Sequence, residues 1–175
     1  MNGDRRLRVG LVAMFASFAV AIRGPLHGHV VNVGDDAPKF SIVTDTGDRI
    51  SARNFNGKAL LLNFWASWCG PCIAETPSLN ALARALRTQG LVVLGVSEDE
   101  DPRAYNRSIR DEQIGFFTFR QPDKSIQYDY GTEKIPESYL IDRHGKVRAK
   151  FISNQDWTSA ELVAQVKSLL SDTAN

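Results

Sequence analysis

The sequence predicts an α/β domain built on a central mixed β-sheet with helices on both sides. Three observations carry this. Apolar runs of strand length at 59–65 and 91–96 lack polar alternation, as strands covered on both faces do. A stretch of helical character follows each of them. Two strands around the turn Asp142-Arg143-His144-Gly145 then close the order, adding a hairpin to the alternating start.

Taken in order, residues 1–21 have the layout of a signal peptide or a short membrane anchor. Arg5, Arg6 and Arg8 precede an apolar stretch from 9 to 22, and Ala19-Val20-Ala21 fits a small-x-small cleavage site. A bilayer span needs about 18 or more apolar residues, so the length favours a cleaved signal. A buried core helix would leave the charge ahead of the apolar run unexplained. Residues 22–36, with Gly24-Pro25, His27-Gly28-His29 and Gly34, have linker composition. The His-x-His pair offers two metal ligands at most, too few for a defined site.

The domain is then expected over 37–175. Strands at 40–44 and 48–51 flank Asp45-Thr46-Gly47 as an N-terminal hairpin, and 54–58, with Asn56-Gly57, is a turn. After the strand at 59–65, a helix runs through 89. Leu79, Leu82, Ala83 and Leu86 fall at i, i+3, i+4 and i+7 on one face, Pro77 interrupts the backbone donors, and Gly90 ends the helix. Asp101-Pro102 supplies an N-cap and first-turn proline for a helix to about 113. A strand at 116–119, a short helix at 123–130 and the closing hairpin strands at 137–141 and 146–152 follow. The final helix is expected to start at Thr158, in a capping box with Glu161, and to bury Leu162, Val163, Val166, Leu169 and Leu170.

Composition narrows the function. A formal charge of +1 over 175 residues lacks the basic excess of a nucleic-acid surface. Without residues 1–21 the chain holds 18 basic and 19 acidic residues, close to neutral. The chemistry is concentrated in Trp68-Cys69-Gly70-Pro71-Cys72, which contains the only two cysteines. They sit at a strand-to-helix junction. Unpaired N–H groups and the positive end of the helix dipole favour a thiolate at Cys69 there. Cys72, one turn in, is more buried and close enough to close a disulfide. Attack on a foreign disulfide leaves a mixed disulfide, and a second thiol at this spacing can resolve it.

Two other uses of a Cys-x-x-Cys pair compete. Zinc usually needs four ligands, and neither a second cysteine pair nor a finger-like spacing of His27, His29 and His144 exists. A structural disulfide closing so short a loop removes little unfolded-state entropy and stabilises little.

The run Phe64-Trp65-Ala66-Ser67-Trp68-Cys69-Gly70-Pro71-Cys72, with Pro77 five residues on, resembles the active-site segment of the thioredoxin superfamily. The preceding hairpin and the late Ile135-Pro136-Glu137-Ser138-Tyr139-Leu140-Ile141-Asp142 resemble its exported TlpA/ResA/CcmG-like branch, over about 37–170. The resemblance implies a thioredoxin fold with an N-terminal β-hairpin extension. It implies a cis Ile135-Pro136 bond facing the cysteines, with the backbone of Ile135 offered to an extended substrate strand. Trp65 is expected in the core and Trp68 on the substrate-facing surface. Where cytoplasmic thioredoxins carry a buried Asp that moves the second cysteine's proton, this chain has Asn63. Glu75, three residues after Cys72, stands where the ResA-like branch carries a Glu near the active site. Partly desolvated, it would have a raised pKa and could exchange a proton with Cys72.

The expected function is an extracytoplasmic thiol-disulfide oxidoreductase, periplasmic, either free or tethered to the cytoplasmic membrane. It would need no cofactor beyond its dithiol. Cys69 attacks, Cys72 resolves, and Glu75 assists. The Gly-Pro pair between the cysteines resembles reducing members, so the expected partners are protein disulfides, such as apocytochrome c thiols, and a membrane-bound electron donor. Two alternatives remain. A peroxiredoxin-like peroxidase would want Pro and Thr at the positions of Leu62 and Ala66. A copper-delivery protein of the Sco type resembles Cys-x-x-x-Cys with a distant His, one residue longer than the spacing here.

Overall fold

A computed structural model describes residues 30–44, 46–51 and 57–171. The expected signal or anchor at 1–21, His27, His29 and most of the turn at 54–58 lie outside them.

The centre of the sheet is β3 (Ala59–Trp65), all seven of whose residues are buried. Because side chains alternate along a strand, its apolar run feeds two cores. Leu60, Leu62 and Phe64 enter one with Tyr130, Tyr139 and Ile141. Ala59 and Leu61 enter the other with Leu79, Leu82, Trp157 and Val166. That is why the sequence shows no polar alternation here.

The chain reaches β3 from β1 (Ser41–Val43) and β2 (Arg49–Ser51), an antiparallel pair forming its own small sheet. Ile50 of β2 is buried against the Leu60 core. After β3 come α1 (Gly70–Leu86), a 3-10 turn at Arg87–Gln89, β4 (Leu91–Ser97), α2 (Pro102–Asp111) and β5 (Phe117–Arg120). Then follow α3 (Ser125–Tyr130), β6 (Glu137–Ile141), β7 (Val147–Ile152) and α4 (Ala160–Ser171). The five-stranded sheet has the order β5-β4-β3-β6-β7. β3, β4 and β5 are parallel, whereas β6 runs antiparallel to β3 on one side and to β7 on the other, as expected of a mixed sheet.

Several boundaries follow from local chemistry. Gly90 ends the 3-10 turn with φ +100°, in the left-handed region where a side chain is strained. The Asp101 carboxylate accepts the Arg103 N–H at 2.8 Å and so caps α2.

Two expectations need correction. The described part of the presumed linker, 30–36, is held on the domain: Val31 is buried and donates to Tyr130 O at 3.1 Å, and Gly34 N donates to Val147 O at 2.8 Å. Val30, Val31 and Val33 in so short a polar stretch make neither a helical nor a strand pattern that would announce this. The start of α4 is capped by Ser159, whose hydroxyl accepts from Leu162 N at 3.4 Å. The Thr158 backbone and hydroxyl both turn back to Asp156 instead, so Asp156 captures the residue expected as the cap.

Candidate active site

In an open α/β sheet, functional groups gather beyond the carboxyl ends of the parallel strands. Here β3 delivers the cysteines to that edge. A tight turn in which Cys69 N donates to Ala66 O at 3.1 Å leads from the strand to α1. Cys69 is the N-cap, in extended conformation, and Pro71 occupies the first turn, where its missing N–H is not needed. The Cys69 sulfur accepts the Cys72 N–H at 3.2 Å, so the position that would carry a thiolate faces a free helix-end donor. The two sulfurs form a disulfide of 2.08 Å. Cys72 is 2% exposed and Cys69 6%, while Trp68 beside them is 66% exposed. Trp65, the last residue of β3, is buried.

The antiparallel register Phe64↔Glu137 places Pro136 beyond the end of β6, alongside the end of β3. The Ile135–Pro136 bond is cis. Ile135 packs against the cluster that contains Trp65, Cys69 and Cys72. Residues some 65 positions apart in sequence thus share one surface, with Trp68 adjoining it.

Glu75 lies one turn after Cys72 and is 3% exposed, although glutamate ordinarily seeks solvent. Its Oε1 accepts from Asn63 Nδ2 at 2.8 Å, and its Oε2 accepts from Gln155 N at 3.0 Å and Trp157 Nε1 at 3.3 Å. Burial raises its pKa above the ordinary 4.5, and the three donors offset part of that rise. None of these bonds goes to a cysteine. Asn63 also donates to Ser138 Oγ at 2.9 Å, tying the Glu75 site to β6. Ser153 N donates to Pro136 O at 3.0 Å, so the segment at 153–157 touches both Glu75 and the cis-proline.

Sequence reasoning missed Gln155, Trp157 and Ser138. Gln155 contributes a backbone N–H, which no residue type signals. A buried Trp between Asp156 and Thr158 was the only visible mark of that loop's docking. Among the described residues, no group of three or more His, Cys, Asp or Glu is placed to hold a metal ion.

Residues 33–150, more than half of the chain, match the AhpC/TSA family. The chain is 30% identical over 139 residues to the thiol-disulfide oxidoreductase ResA of Bacillus thuringiensis (strain Al Hakam), covering 79% of each. Among solved structures, a thiol:disulfide interchange protein DsbE from Chlorobium tepidum superimposes with a TM-score of 0.74 at 28% identity. That match covers 81% of this chain and 99% of that one. The thioredoxin domain of a thiol-disulfide oxidoreductase from Bacteroides vulgatus gives a TM-score of 0.70 at 26% identity, covering 81% and 99%. Fold, cysteine pair and relatives agree: the chain belongs to the AhpC/TSA family with a thioredoxin fold, and is a thiol-disulfide oxidoreductase of the ResA/DsbE type.

Proposed function

We propose that this oxidoreductase works outside the cytoplasm as a reductant of protein disulfides, apocytochrome c being the substrate that the branch resemblance implies. The observation that carries the reading is the Cys69–Cys72 pair at the N-terminus of α1 with Ile135 packed against it. The Cys69 thiolate attacks one sulfur of the substrate disulfide and releases the other as a thiolate, which takes up a proton. Cys72 then loses its proton to Glu75 and attacks the Cys69 sulfur. The second substrate thiol leaves, protonated in turn, and the protein is left with the Cys69–Cys72 disulfide. Two electrons and two protons have passed to the substrate. A dithiol donor at the membrane restores the reduced pair.

The extracytoplasmic placement rests on Arg5, Arg6 and Arg8 ahead of the apolar stretch. Among the described residues no helix is long and apolar enough to cross a membrane. Trp68 and the Ile135 backbone, flanking the disulfide, are the surfaces assigned to the polypeptide substrate. A peroxidase reading gains nothing from the site, because buried Leu62 and Ala66 stand where peroxide-binding Pro and Thr would be needed.

Trapping tests the order of events. Cys72→Ser should accumulate a mixed disulfide through Cys69 with an oxidised peptide, visible by mass spectrometry and reversed by dithiothreitol. Cys69→Ser should form none, and its full retention of disulfide-reductase activity would overturn the reading.

A further inference from the structure

Asp99, two residues beyond β4, is a carboxylate that the scheme above does not use, yet it is 1% exposed. Its Oδ1 accepts from Ser67 Oγ at 2.6 Å, and its Oδ2 accepts from Ser67 N at 2.9 Å and Ser97 Oγ at 2.6 Å. Its own N–H returns to Ser97 Oγ at 3.1 Å. Arg120 Nη1 reaches Asp99 at its carbonyl oxygen, 3.2 Å away, and among the described residues the donors to the carboxylate are neutral. Burying an acid in this way costs free energy unless each lone pair is met. Charge-assisted bonds to neutral donors are stronger than neutral ones, and two of these three converge on a single residue.

That residue is Ser67, in the four-residue turn from Ala66 to Cys69. The turn is held at its ends by Cys69 N to Ala66 O, and on the strand side Glu98 N donates to Trp65 O at 3.0 Å. Asp99 fixes the middle through both backbone and side chain. The next residue is Trp68. With an indole this exposed, packing does little to set its position, so the turn has to do it.

We propose that Asp99 is a positioning residue for reaction with polypeptide disulfides, clamping Ser67 so that Trp68 stands at the lip of the Cys69–Cys72 site as a contact for the substrate chain. The inference rests on the oxidoreductase reading above, and adds that recognition on the Trp68 side is set from β4. Ile135 supplies the other side. Asp99 touches neither substrate nor sulfur.

The test compares two substrates of the reduced full chain, insulin and bis(2-hydroxyethyl) disulfide, the second too small to span from Trp68 to Ile135. Asp99→Ala and the milder Ser67→Ala should raise KM for insulin by about tenfold with kcat within about twofold, the signature of lost binding. Their rates with the small disulfide should change far less. Trp68→Ala should raise the insulin KM similarly, and Asp99→Ala combined with Trp68→Ala should be no worse than either alone, because both remove the same contact. Equal losses on both substrates, or effects that multiply in the double variant, would overturn the proposal. Should Asp99→Ala fail to fold, Ser67→Ala with Trp68→Ala completes the same cycle. A reduced wild-type chain inert toward both substrates would sink the oxidoreductase reading itself, which separates the two failures.

Discussion

The Asn63 side-chain amide donates a 2.8 Å hydrogen bond to the Glu75 carboxylate, joining the strand that leads into the cysteines to the helix that carries them. Where a buried Asp would add a second negative charge, Asn63 adds a neutral donor. Among the described residues the carboxylate that Asn63 meets is that of Glu75, shielded from water and held by Asn63, Gln155 and Trp157. A buried acid whose pKa is raised is a group able to take up a proton and return it.

The pH dependence of stability should show this. Glu75 has its folded-state pKa raised above 4.5, burial being the main cause. The folded chain therefore keeps a proton that the unfolded chain has already released. The stability it contributes is present in full below the unfolded pKa and is lost as pH rises through the folded pKa. Urea unfolding of Glu75→Gln, with the disulfide intact, should show a flatter dependence on pH above about 4.5 than the wild type. Parallel curves would mean that Glu75 is not shifted.

Asn63→Asp sets two carboxylates against each other. One proton shared between them would be retained to a higher pH than either alone would hold it, and above that pH the pair repels. Stability at pH 8 should fall by at least about 2 kcal/mol, from repulsion and the lost donors, and recover in part at pH 5. Equal destabilisation at both pH values would contradict the prediction.

Gly95 on β4 leaves room for the tryptophan behind the disulfide. A Cβ there would sit 2.9 Å from Trp65 Nε1, 3.0 Å from Phe116 Cε2 and 3.1 Å from Thr118 Oγ1. Gly95→Ala must displace Trp65, which donates to Thr118 Oγ1 at 3.3 Å, or strain the strand. Overpacking of this kind costs about 1–3 kcal/mol, measurable by urea unfolding. An unchanged midpoint would show that the neighbours yield freely.

Much of this was legible in the sequence, for physical reasons. A strand covered on both faces has to be apolar throughout, and Ala59–Trp65 is. An Asp N-cap followed by a first-turn proline favours a helix start, and Asp101-Pro102 starts α2. The cysteine pair announces itself by its spacing. What stayed hidden are contacts made by the backbone or by residues without local pattern. Gln155 reaches Glu75 through its N–H, and Asp99, in an acidic run at 98–101 that looks solvated, is buried by two serines. The competition between Asp156 and Thr158 that moves the cap of α4 to Ser159 is a choice among neighbouring polar side chains, which composition cannot rank.

The reduction potential of the Cys69–Cys72 pair tests the central claim most directly. The soluble domain would be equilibrated with dithiothreitol or glutathione buffers, and the oxidised fraction read by thiol alkylation. A reductant should show a value near that of thioredoxin, about −270 mV or lower. A value near −120 mV, that of a strong disulfide donor, would mean that the protein makes disulfides instead of breaking them and would contradict the account.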